Sequence, residues 1–305
     1  MESFFFNITN RRYKSSSLFS LKNEFLNRVD ISNGVVFLDI NLENRAKEIG
    51  LKNLDRMVMI VMVKKGKFTI HDHLSDKIIT LKAGQIGIYC SSRQKMTLTV
   101  EKSEESDILT LFVADFFLKR YLSGQEHEPV DFLYKMLQQE ITLEEINRHP
   151  IDALSLYIVE KLLNISSQEN MKSIRAEHRV TEFMIHCFSL IDIVDEKISQ
   201  EELDLAQRAK VILLKNFVTP PTIQELAHLC ATNESKLKKV FKKVYQFTLH
   251  HYVQKLRLEQ ANLLLKEENL TIGEIAKRVG YKHQGYFSKI FFNAYGVYPV
   301  ALLNK

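Results

Sequence analysis

The feature that most constrains this chain is a repeat near its C-terminal end. Thr222-Ile-Gln-Glu-Leu-Ala and Thr271-Ile-Gly-Glu-Ile-Ala begin 49 residues apart. Each sets a Thr where a helix N-cap belongs and a Glu three residues later. That is the capping-box pattern, in which the two side chains satisfy two orphan N–H groups reciprocally. Each short helix is followed by a break, Cys230-Ala-Thr-Asn233 or Val279-Gly-Tyr-Lys282. A second helix follows each break, carrying an apolar i,i+4 pair, Leu237/Phe241 or Phe287/Phe291. Both copies run on into a turn after a tyrosine, Tyr245 or Tyr295. The same helix–turn–helix unit is thus written twice. Between the copies, Leu249 to Lys266 carries an apolar stripe of Tyr252, Val253, Leu256, Ala261, Leu263 and Leu264. It predicts a connecting helix of roughly 27 Å.

Charge separates this region from the rest. Residues 204–305 hold 16 Lys+Arg against 7 Asp+Glu, net +9, leaving 26 against 30, net −4, before them. A basic third on a mildly acidic body points to a polyanionic partner for that third. At 305 residues the chain is long enough for two domains. The expected division is 1–195, a polar linker at 196–204, and 205–305.

The first part reads as short strands rich in β-branched and aromatic residues. They are Gly34 to Ile40, Arg56 to Val63, Lys67 to His71, Lys77 to Leu81, Gln85 to Cys90, Lys95 to Val100 and Ile108 to Val113. Turn residues separate them, and such spacing predicts a β-sandwich or barrel. Met57 to Val63 is apolar at every position, so it belongs in the middle of a sheet covered on both faces. It is also the longest apolar run, far short of the roughly 20 residues of a membrane span. Beyond Ala114 the apolar period becomes helical. The longest such stretch, Ser173 to Ile193, carries Val180, Phe183, Met184, Cys187, Leu190 and Ile191, with Val194 beyond. It is the candidate dimer helix, although the same stripe could be buried internally.

Three cysteines, Cys90, Cys187 and Cys230, show no metal or disulfide spacing. Residues Met1 to Ser17 lack the apolar core of a secretory signal. Both observations point to a cytoplasmic protein. His71-Asp-His73 with Asp76 has part of a metal-binding pattern, but no further His follows within the barrel. These are read as turn residues, and neither metal nor cofactor is expected. Cys90 and Cys187 with Met57, Met59 and Met62 are read as packing rather than a redox sensor.

The doubled unit, with Tyr286-Phe-Ser-Lys-Ile-Phe and Tyr295-Gly-Val-Tyr-Pro299, resembles the DNA-binding domain of AraC/XylS-type transcription regulators. The resemblance runs from about Leu205 to Leu302. It implies an α+β chain, a cupin-like N-terminal barrel with dimerisation helices followed by an all-α domain with two helix–turn–helix units. It also implies that the second helix of each unit enters the major groove of double-stranded DNA. Ser235, Lys238 and Lys239, then Gln284, Ser288 and Lys289, would face base edges. Lys donates to guanine and Gln pairs with adenine. Lys236, Lys242, Lys243 and Lys282 would meet phosphates, which position without specifying. Gly285 predicts a tolerant second reading surface. Three positions depart from the pattern. Gln246 replaces a usual glycine, Cys230-Ala231 replaces glycine plus an aromatic, and the last helix is short or absent.

The resemblance further implies a small-molecule effector in the barrel, a homodimer, and contact with RNA polymerase, most simply as an activator. Thr219-Pro-Pro-Thr-Ile-Gln-Glu-Leu-Ala, Asn233-Glu-Ser-Lys-Leu-Lys-Lys and Leu81-Lys-Ala-Gly-Gln are similar to the branch of pyochelin-responsive regulators. That similarity implies a ferric siderophore. Two other readings stand beside this one: a cupin metalloenzyme with a fused DNA-binding domain, and a ligand-independent DNA-binding scaffold. An enzyme is not expected.

Overall fold

A computed structural model describes residues 2–4, 13–52, 56–93, 95–125, 128–165, 171–191, 193, 198–267 and 270–303. The chain divides into two compact units, one of Met1–Ile151 with Ile158–Ile191, the other of Asp152–Tyr157 with Asp192–Lys305. Val194, Asp195 and the start of the expected linker, 196–197, lie outside the described residues.

Among the described residues the first unit opens with eleven strands: β1 Glu2–Phe4, β2 Lys14–Leu21, β3 Glu24–Ser32, β4 Val35–Glu43, β5 Lys47–Lys52, β6 Met57–Lys65, β7 Lys67–Asp72, β8 Lys77–Lys82, β9 Gln85–Ser91, β10 Lys95–Val100 and β11 Glu105–Ala114. Helices α1 Asp115–Leu118 and α2 Pro129–Leu137 follow, then β12 Glu144–Pro150 and, after α3 Ala153–Leu163, which the division splits after Tyr157, α4 Lys172–Ser189. The strands form two sheets. One runs β1-β5-β10-β7-β8 and the other β12-β9-β6-β11-β4-β3-β2. Apart from the parallel pair β1–β5, every pairing is antiparallel.

Strand β6 shows why the layers stack this way. Side chains alternate along a strand, yet all of Met57 to Val63 are buried. Met57, Met59, Val61 and Val63 join one core with Phe68, Ile70, Leu81 and Leu98 of the five-stranded sheet. Val58, Ile60 and Met62 point to the opposite face and are equally buried. On the helical side α1 packs on β11, α2 on β9 and α4 on β3. The seven-stranded sheet is therefore covered on both faces, with β6 in its interior, as the apolar run requires.

This arrangement corrects the reading of the α4 stripe as a dimer contact. Val180, Phe183 and Cys187 are fully buried, Met184 and Ile191 nearly so, all within the described chain. Leu190 is half-buried, and its carbonyl accepts from Asn147 Nδ2 at 2.8 Å. The outer face of the seven-stranded sheet needs an apolar cover, and the stripe is spent on it. The large apolar side chains that α4 leaves exposed are others, Ile174 and Ile185. The helix also ends at Ser189, short of Ile193.

The histidine pair sits at the β7–β8 hairpin, with both rings engaged. His71 Nε2 lies 3.0 Å from Asp76 Oδ1, and His73 Nε2 lies 2.8 Å from Thr97 Oγ1. Cys90, Cys187 and Cys230 are buried, and burial pushes the Cys90 thiol well up. No helix among the described residues is long and apolar enough to cross a membrane.

One carboxyl in this unit is energetically unfavourable. Burial pushes Asp39 up to about 6; Lys64 opposes this and Asp107 adds to it. A carboxyl raised in the folded state costs stability as pH climbs from the unfolded value near 4 through the folded one. Asp39→Asn should therefore be more stable than the parent by about 2 kcal/mol at pH 8. The gain should shrink to a few tenths of a kcal/mol by about pH 4 and vanish near pH 3, below the unfolded value, where the carboxyl is neutral in both states. Urea unfolding at about pH 8 and about pH 3 checks this, and an equal gain at both would reject the assignment.

Candidate nucleic-acid interface

The second unit contains α5 Gln200–Asn216, α6 Ile223–Leu229, α7 Glu234–Tyr245, α8 Leu249–Leu264, α9 Ile272–Arg278 and α10 Gln284–Tyr295. A short 3-10 turn, Pro299–Leu302, follows. The pairs α6–α7 and α9–α10 are built alike. Thr222 Oγ1 accepts from Glu225 N–H while the Glu225 carboxylate accepts from Thr222 N–H. Thr271 and Glu274 repeat this geometry. These bonds hold both Glu carboxyls below their ordinary range.

Both first helices also end alike. Thr232 N–H reaches back to Ala227 O, and Tyr281 N–H to Ala276 O. This is the Schellman closure, which needs a left-handed residue just past the helix. Gly280 supplies it at φ 90° and Ala231 at φ 52°. The second helices repeat the comparison. Gly296 caps α10 at φ 70°, while Gln246 caps α7 at φ 61°. Gln246 keeps the turn and adds a bond from Nε2 to Lys243 O at 2.9 Å. Both departures from the sequence pattern thus retain the glycine geometry.

Helices α7 and α10 are each twelve residues long and aligned at an offset of 50. The break before α10 holds one residue more than the break before α7. The anchors Leu237, Phe241, Phe287 and Phe291 are fully buried. Truncating any one to Ala removes about 3–5 kcal/mol.

The outward faces differ sharply. On α7, Ser235, Lys236, Lys238, Lys239, Lys242 and Lys243 are all exposed. Lys238 meets Glu234 at 2.9 Å, an exposed i,i+4 pair. Such a pair is worth about 0.3–0.5 kcal/mol, less than one good base contact. Lys238 is therefore only weakly held by Glu234. Lys243 instead reaches Glu202, the capping-box residue of α5, and so ties α7 to α5.

On α10, Gln284 and Lys289 are exposed, but Ser288 is half-buried. Tyr286, 58% exposed, takes the place of Lys236 and was not expected at the interface. Aligning the helices at 50 rather than the motifs at 49 is the signal that finds it. Lys282 and the N-cap residue His283 are exposed just before α10. Helix α7 thus presents lysines, while α10 itself presents a Gln, a Gly, a Tyr and one Lys, with Lys282 just before it.

A guanidinium sets the second pair against the end of α5. Arg257, on α8, donates from Nε to Phe217 O at 2.8 Å and from Nη2 to Val218 O at 2.9 Å. Its carbon stands 5.3 Å from the centre of the Tyr281 ring. A Cβ on Gly280 would fall 2.5 Å from Val218 O and 2.9 Å from Arg257 Nη2. The absence of a side chain there lets the α9–α10 turn close onto the end of α5. Helix α8 has 16 residues and so spans about 24 Å, shorter than the stripe predicted. His250 and His251 are exposed at its start.

Comparison with known proteins places this unit. A family described as "Helix-turn-helix domain" matches residues 226–305. The activator RhaR of Cronobacter sakazakii is 35% identical over 102 residues, 32% of this chain and 34% of RhaR. The C-terminal unit is an AraC/XylS-type helix-turn-helix domain. The bifunctional transcriptional activator/DNA repair enzyme AdaA of Bacillus subtilis is 34% identical over 85 residues, 28% of this chain and 40% of AdaA. The chain thus spans about a third to two fifths of these relatives' lengths. Among solved structures, the C-terminal domain of AraT from Geobacillus stearothermophilus is 31% identical, with a TM-score of 0.31. That match covers 35% of this chain and 86% of AraT's. Apo ToxT from Vibrio cholerae is 15% identical, with a TM-score of 0.32, over 88% of this chain and 96% of that one.

Within the AraC/XylS-type domain, the two helix ends make opposite predictions for one change of side chain. Ala231→Gly relieves a left-handed alanine and should stabilise the chain by up to about 1 kcal/mol. Gly280→Ala meets a carbonyl oxygen as well as the strained φ and should cost about 2–3 kcal/mol. Denaturant midpoints of the two variants test the pair, and a loss at Ala231 would contradict the geometry.

Proposed function

We propose that the chain is a sequence-specific transcription regulator, an activator, that binds double-stranded DNA in the cytoplasm. The observation that carries this reading is the doubled helix pair with two sets of matching caps and an exposed basic reading face. Both pairs act as helix–turn–helix units in this reading. Ser235, Lys238, Lys239, Gln284, Ser288 and Lys289 meet base edges, while Lys236, Lys242, Lys243 and Lys282 meet phosphates. Helix α8 spaces the reading helices for successive major grooves, about 34 Å apart along the duplex. The half-buried setting of Ser288 and the tie of Lys243 to Glu202 make them the weaker members of each set.

The N-terminal unit acts as a cupin-like barrel that holds a small-molecule effector and contributes to a homodimer. The α4 stripe is spent within its own unit, so a dimer would use other surfaces. RNA polymerase is the partner of an activator. A ferric siderophore is the first effector to try, on the residues similar to the pyochelin-responsive branch. The chain needs no catalytic residue, cofactor or resident metal in this role.

Retention of genomic fragments by the full chain, sequenced at several salt concentrations, tests the reading. A small set of fragments sharing an asymmetric site is expected. Uniform retention that disappears with salt would show electrostatic binding only and defeat the proposal. On the selected site, Lys239→Ala should lose about 1–3 kcal/mol of discrimination at one base pair. Lys236→Ala should instead weaken all sequences alike and lower the salt slope by about one.

A further inference from the structure

A cavity of about 410 Å³ opens within the second unit, between its two helix pairs. Its volume is in the range of small-molecule sites, roughly 300–1,000 Å³. Leu213, Leu226, Val253 and Tyr281 are buried side chains on its wall. Pro220, Pro221 and Leu249 add further apolar surface. The charged side chains of the cavity, Lys282 and Arg257, are both cationic, and Thr222, Gln254 and the tyrosine hydroxyls are neutral. His250, Lys282 and His283 are exposed, and Arg257 stands beside them with its guanidinium held by two carbonyls. None of the residues lining the cavity is Asp or Glu.

An apolar hollow edged by cationic and imidazole groups complements one class of ligand. We propose that this cavity binds a small amphipathic organic monoanion, with an aromatic or aliphatic body and a single carboxylate. The body is desolvated against the apolar wall, and the carboxylate meets Lys282 and the imidazoles. A DNA phosphodiester is a poorer occupant, because it brings no apolar body to so apolar a wall. A neutral ligand leaves the cationic rim unanswered.

The chain contains no tryptophan. Ile223, 37% exposed and on the cavity wall, can therefore be replaced to give a reporter that sees this site alone. The full chain carrying Ile223→Trp is titrated with 1-naphthoate and, separately, with the neutral 1-naphthamide, without DNA. Failure here is thus distinct from failure of the DNA-binding reading. A saturable change in tryptophan emission is expected with naphthoate. Affinity should fall at least about tenfold for the amide, and equally for naphthoate after Lys282→Met, the loss of one charge-assisted contact. Gln254→Trp, on another wall, repeats the measurement in case the first reporter blocks the cavity. No saturable signal from either reporter up to millimolar naphthoate overturns the site. Equal binding of acid and amide overturns the anionic class.

Discussion

The second unit depends on one close approach. Val218 O, the Arg257 guanidinium and the α-carbon of Gly280 meet where only hydrogen fits on the glycine. Arg257 satisfies two carbonyls past the end of α5 and lies against the Tyr281 ring. Backbone carbonyls left without partners in a partly dry site are costly. The same guanidinium therefore satisfies the end of α5 and seats the second helix pair through Tyr281. If the two pairs read DNA together, their separation is set there and along α8, not at the reading helices themselves.

In the first unit the ruling constraint is a sheet apolar on both faces. A strand such as β6, with seven consecutive buried side chains, must sit between two layers. The five-stranded sheet supplies one layer and α1, α2 and α4 the other. That demand decides the fate of the α4 stripe. An amphipathic helix at the end of a β-rich unit reads the same in sequence whether its apolar face meets its own sheet or a second subunit. Periodicity reports that a face is buried and not what buries it.

The local signals were the legible ones. Both capping boxes formed on the Thr and Glu of the repeat. The i,i+4 aromatic and leucine anchors were buried, and seven strand segments appeared close to their expected bounds. Strands β1, β2, β3, β5 and β12 are not legible in the sequence pattern. Strand β2 is exposed along much of its length, and β12 is charged and edges its sheet. Such segments become strands because a neighbour offers a ladder, which alternation within the segment does not reveal. Tyr286 was passed over because the second break is one residue longer, which shifts the alignment of the reading helices.

Sequence by itself determined the domain type at the C-terminal end. Caps, turns and i,i+4 pairs are contacts among residues three to six apart, so their chemistry is written in spacing. It also determined which surface is basic, because lysines on one face of α7 need no tertiary partner to remain outside. Tertiary structure alone decided that Arg257 binds Phe217 and Val218, forty and thirty-nine residues away. It alone buried Asn262, whose Oδ1 accepts from Leu154 N–H 108 residues away. These pairings join groups whose separation along the chain carries no trace of their separation in space. They exist because buried polar atoms must find partners wherever packing brings them.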